Sequence, residues 1–112
     1  MGPNVYTRLA GLARQLAATA SYELAVEVVA FTGGMEPERL RRRRQKRADV
    51  VALQRRALYL AVIRGGFSRR RIARVAGVSQ EWVARACRAV EDERDDPFLD
   101  RLLDELELIM IG

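Results

Sequence analysis

With 112 residues, the chain is sized for a single domain with a modest core, and its 49% apolar residues set it apart from disordered sequences. The absence of histidine and the single Cys87 exclude a zinc finger and an internal disulfide. No apolar run reaches bilayer length and no signal-peptide pattern is present, so a cytoplasmic protein is expected.

Tyr6 to Ala18 places Leu9, Leu12, Ala13 and Leu16 on one face of a helix, and Tyr22 to Phe31 continues with Leu24, Val28 and Phe31 on one side. These two stretches form either one bent helix or two, because Ser21 can start a new one. A domain division at about residue 20 is expected, with residues 1–20 an N-terminal helix, 21–108 the main domain and 109–112 a tail. Gly33-Gly34 is a helix stop. Glu36 to Leu40 reads as a short helical turn. Arg41 to Arg47 then puts six cations in seven residues, and like charges that dense predict a loop. Asp49 is read as the cap of the next helix, which runs to about Arg64 with Leu53, Ala57, Leu60 and Ala61 as its stripe.

Ser68 to Val90 carries the most informative pattern. Ser68 and Ser79 stand as N-caps of two short helices, with a turn at Gly77-Val78-Ser79 between them. Ala73 lies four residues before Gly77 and Val83 six after it, the spacing of a helix-turn-helix. An ordinary helical hairpin is the plainer alternative. In the second helix, Gln80 to near Arg94, the residues Val83, Ala86, Cys87 and Val90 fall on an inward stripe, which makes Cys87 a small apolar core residue. Asp96-Pro97 starts a last helix carrying Phe98, Leu102, Leu103 and Leu106. No strand pattern is found, so the expected class is all-α.

Charge is unevenly placed. Residues 1–90 hold 18 basic and 6 acidic side chains, a net +12, and residues 91–112 a net −7, within an overall +5. The basic part contains the proposed reading unit, as binding to a polyanion requires. On the outward side of the second helix stand Ser79, Gln80, Glu81, Ala84, Arg85 and Arg88. Gln pairs with adenine, Glu accepts from cytosine, and Arg grips guanine or phosphate. Gln80 and Glu81 are best placed for bases, while Arg85 and Arg88 suit phosphate or a flanking base. Trp82 fits two roles, a cap on the core or an indole N–H on a phosphate. Ser68, Arg69, Arg70 and Arg71 open a helix with free N–H groups, a phosphate clamp. The loop cations Arg41, Arg42, Arg43, Arg44, Lys46 and Arg47 suit the DNA backbone or a narrow minor groove, or else a solvated or RNA-binding arm. Together these groups match roughly six to ten phosphates.

From about Val26 onward the chain resembles the C-terminal DNA-binding domain, domain IV, of the bacterial replication initiator DnaA. The resemblance rests on Glu38-Arg39-Leu40 followed by RRRRQKR, on QRRALYLAVIRGGFSRRRIARVAG, and on ARACRAVEDERDD, in that order. It implies a small Trp-repressor-like helical domain bound to duplex DNA. Gln54 aligns with the family's minor-groove arginine, with Arg55 adjacent, and Ser68 with a position near phosphate. The family's Arg-Asp-His-Thr/Ser-Thr string is one residue shorter here and ends in Ser79, Gln80, Glu81 and Trp82, which implies a different target sequence. No GxxxxGK[ST] loop is present, so these residues are not expected to hydrolyse ATP. Short stand-alone alphaproteobacterial proteins of this type, among them activators of gene transfer agent clusters, bind promoters through such a domain.

The expectation is therefore a nucleoid-associated transcription regulator, an activator, that binds specific duplex DNA. It has no catalytic residues, cofactor, metal, membrane or small-molecule substrate. RNA polymerase or another DNA-bound regulator is the partner considered for the acidic last helix, whose plainer role is a solvated face. A replication-control factor at the origin and an adaptor for RNA polymerase or RNA, such as an antitermination factor, are the rival readings.

Overall fold

The computed structural model describes residues 3–42 and 46–111, so Arg43 and Arg44, two of the expected phosphate contacts, lie outside the described residues. Six helices follow in order: α1 Pro3–Thr32, α2 Pro37–Arg41, α3 Ala48–Ile63, α4 Arg69–Ala76, α5 Gln80–Glu93 and α6 Pro97–Ile111. No strand occurs among the described residues, in keeping with the all-α expectation. None of these helices is long and apolar enough to cross a membrane.

α1 is one helix through residues 20 and 21, which settles the choice between one helix and two, and α6 continues to Ile111. The inner face of α1 is not centred on the expected row of Leu24, Val28 and Phe31. Ala18, Tyr22, Ala25, Val26, Val29 and Ala30 are buried, while Leu24 and Phe31 are 44% and 88% exposed. Small residues on that face let α1 lie close against α3 and α4.

α3 is the central helix. Val50, Gln54, Ala57, Leu58, Tyr59, Leu60 and Ala61 are all buried, so most of its circumference is covered, as expected of a helix inside a bundle. It packs on α1, α2, α4 and α5. Its start differs from the sequence reading: Arg47 is the cap residue and no side chain caps the helix. Asp49 lies inside the first turn, accepts from its neighbour Val50 N–H at 2.9 Å, and pairs with Arg47 at 2.8 Å. Beyond the end of α3, a side chain at Gly65 would collide with the Ala61 carbonyl and the Ser21 hydroxyl. Gly65 therefore permits the close approach of the α3 terminus to α1.

α6 docks on α1 through Leu103 and Leu106, with Asp96 accepting from Phe98 N–H at 2.9 Å to start it. Phe98 itself is 74% exposed. The junction between α5 and α6 is held by Arg94. Its guanidinium reaches Asp100 at 2.7 Å, Asp104 at 2.9 Å, Glu107 at 3.0 Å and the Tyr59 hydroxyl at 3.0 Å. One cation thus neutralises part of an acidic helix and ties it to α3.

Candidate nucleic-acid interface

α4 and α5 owe their boundaries to local chemistry. Ser68 Oγ accepts from Arg71 N–H at 3.1 Å, and Ser79 Oγ accepts from Trp82 N–H at 3.0 Å, so both serines cap as their positions predict. Gly77 ends α4 in the left-handed region at φ 72°, and the N–H groups of Gly77 and Val78 both donate to the Ala73 carbonyl. That closure turns the chain within three residues and fixes α5 against α4.

The inward stripe of α5 is Val83, Ala86, Cys87 and Val90, all buried. Burial pushes the Cys87 thiol up, with Arg69 only partly opposing it, so the group stays protonated and serves as packing. With that face committed, Ser79, Gln80, Glu81, Arg85 and Arg88 are left exposed. Glu81 and Arg85 pair with each other at 3.0 Å, one helical turn apart. Both are largely solvated, so the pair is worth well under about 1 kcal/mol and breaks readily for another partner. Arg88 forms no ion pair among the described residues.

Trp82 is placed on the core side of its two roles. Its ring packs against the buried cluster, and its indole Nε1 is buried with no hydrogen-bond partner among the described residues. The N–H is thus not at the surface in this structure.

The start of α4 concentrates positive charge. Ser68, Arg70, Arg71 and Arg74 line one open cleft of about 150 Å³. Arg71 is half-buried and donates to Gln15 of α1 at 3.3 Å, which fixes its direction. Arg69, Arg70 and Arg74 are exposed. Arg74 joins this set only in the folded chain, one turn beyond the residues the sequence singles out.

The loop cations divide. Arg41 belongs to α2 and is held by Glu23, Glu27 and Glu38, with its side chain only 25% exposed. Hydrogen bonding to Glu23 leads the effects that keep its guanidinium charged. It braces α2 on α1 and is not a ready phosphate contact. Arg42, Lys46 and Arg47 are exposed. Gln54 does not face solvent: it is 3% exposed, and its Nε2 donates to the carbonyls of Leu40 at 3.2 Å and Arg42 at 2.9 Å. It therefore latches the entry to the basic loop, and Arg55 beside it is half-buried. Two arginines that the sequence reading passed over, Arg56 and Arg94, carry structural ion pairs; Arg56 joins α3 to α5 through Glu93 at 3.0 Å. Arg94 had a visible signal, as the single cation inside the acidic run EDERDD.

Compared with known proteins, the chain matches no protein-family model, no curated protein and no solved structure.

Proposed function

We propose that the protein is a sequence-specific duplex-DNA-binding transcription regulator, with α4 and α5 as a helix-turn-helix similar to that of DnaA domain IV. The observation that carries this reading is the division of α5. One face is fully committed to the core, and the other leaves Gln80, Glu81, Arg85 and Arg88 exposed on a rigid, capped helix. A recognition helix needs that combination, since base contacts are made by side chains whose backbone does not move. The capped start of α4, with Ser68 and its arginines around one cleft, supplies the backbone-positioning contacts. The loop at Arg42, Lys46 and Arg47 adds further phosphate contacts. In the same reading the protein acts in the cytoplasm, at the nucleoid, as an activator, with the acidic α6 turned toward solvent or RNA polymerase.

Selection of bound sequences from a random duplex pool, followed by fluorescence anisotropy on the selected site, tests the reading. Gln80→Ala should cost roughly 1–3 kcal/mol on that site and relax preference at one base position. No selected sequence, or cognate binding untouched by Gln80→Ala, removes α5 as the reading helix. A chromosome-wide binding map separates promoters from the replication origin, and stronger binding to RNA than to duplex DNA favours the adaptor reading.

A further inference from the structure

α1 carries two apolar faces, and only one of them is used by the fold. The inner face begins at Ala18 and is buried along Tyr22, Ala25, Val26 and Val29. The outer face lies nearer the N-terminus, at Val5, Leu9, Leu12 and Leu16, where the three leucines are 55%, 56% and 61% exposed. At about 100° per residue, the two faces point roughly 130° apart around the axis. The outer row is therefore not an overrun of the core stripe. No residue from Asn4 to Ala17 is buried, and Leu9, Leu12 and Leu16 are not among the described side chains packed on the core, so this part of α1 is an arm with an open leucine row.

The row has the 4-3-4 spacing of a two-stranded coiled-coil seam, with Val5 and Leu12 at one kind of seam position and Leu9 and Leu16 at the other. The surface has the matching relief. Val5, Arg8, Leu9 and Leu12 line an open groove of about 480 Å³. Residues at i, i+3, i+4 and i+7 are the four that form the hole for a knob from a facing helix.

We infer that the arm pairs with the arm of a second copy of this chain, a leucine from each copy filling the groove of the other. The flanks of the seam favour self-pairing over a charged partner. In this register they are Tyr6, Arg8, Ala13 and Gln15, a single charge among four, and the first acidic residue of the chain is Glu23. Arg8 meets Ala13 if the arms run parallel, which sets no cation against a cation, whereas run antiparallel it would meet Gln15, which already holds Arg71. An arm of about 22 Å gives a contact at the small end of protein interfaces, so the pairing is weak and concentration-dependent. The inference does not depend on DNA binding.

Sedimentation equilibrium of the full chain in the absence of DNA, from about 5 μM to about 500 μM, tests it. The mass should rise from the 12.7 kDa monomer toward twice that value. Leu9→Glu with Leu12→Glu should weaken association at least about tenfold while leaving the thermal midpoint of the body unchanged, because neither side chain touches the core. Should the glutamates lower helicity, Leu9→Gln with Leu12→Gln makes the same test. A monomer across the whole range overturns the inference. So does association that survives the arm substitutions, or association abolished instead by Phe31→Ser with Ile109→Ser, which would move the contact to the other end of α1.

Discussion

Gln54 illustrates how a residue's role changes once its surroundings are known. From the sequence alone, the expectation for Gln54 is a side chain turned outward to a minor groove. In the fold its amide is turned inward, and both hydrogens are spent on the carbonyls of Leu40 and Arg42. These two bonds tie the end of α2 to α3, so Gln54 fixes where the basic loop leaves α2. Gln54→Ala should therefore destabilise the protein by roughly 1–3 kcal/mol in urea unfolding, the range for losing two buried hydrogen bonds. Arg55→Ala, one residue away, should leave the urea midpoint almost unchanged. Equal effects on stability would mean that Gln54 holds nothing in place. Its Oε1, buried without a partner among the described residues, limits the gain the latch can give.

At the scale of elements, what the sequence exposes is the chemistry of helix ends. Ser68, Ser79, Gly77 and Asp96 act on residues at most five positions away, so the bounds of α4 and α5 and the start of α6 are readable without a fold. The inward stripe of α5 is readable for the same reason, because only one apolar row crosses a helix whose other sides are polar. α1 defeats that logic. Its second half carries Leu24 and Phe31 off the inner face, so hydrophobicity alone points to them when Ala18, Tyr22, Ala25 and Val29 are in the buried set. Two of the bracing arginines are hidden for a different reason. Arg41 finds Glu23 18 residues away and Arg56 finds Glu93 37 away, separations at which no local pattern survives. The turn between α4 and α5 offers a test at this scale. Gly77→Ala places a β-carbon at φ 72° and should cost about 1–2 kcal/mol, while Ser79→Ala should cost about 1 kcal/mol by uncapping α5. Ser79→Asp should retain most of the stability by keeping an acceptor at the cap. If Gly77→Ala is neutral in thermal unfolding, the left-handed turn does not set the angle between the helices.

For the whole molecule, the decisive quantity is how many of its cations are available to a polyanion. Residues 1–90 carry a net +12, yet the fold withdraws part of that charge from use. Arg41 is surrounded by three carboxylates and Arg56 is paired to Glu93. Arg70 and Arg74, by contrast, stand exposed on one cleft with no ion pair among the described residues. Counterion release makes the distinction measurable, since each neutralised phosphate contributes about −0.9 to the slope of log K against log salt. Under the proposed DNA-binding function, Arg70→Ala with Arg74→Ala should flatten that slope by roughly 2 and weaken all duplex sequences alike. Arg41→Ala should behave in the opposite way. It should leave the slope within error and lower stability by about 1 kcal/mol, the scale for a partly solvated ion-pair network. Anisotropy titrations from about 50 mM to about 200 mM salt, run beside urea unfolding of each variant, separate the two classes. A slope change for Arg41→Ala as large as that for the cleft pair would show that Glu23, Glu27 and Glu38 release Arg41 when DNA binds. The division between bracing and binding arginines would then fail.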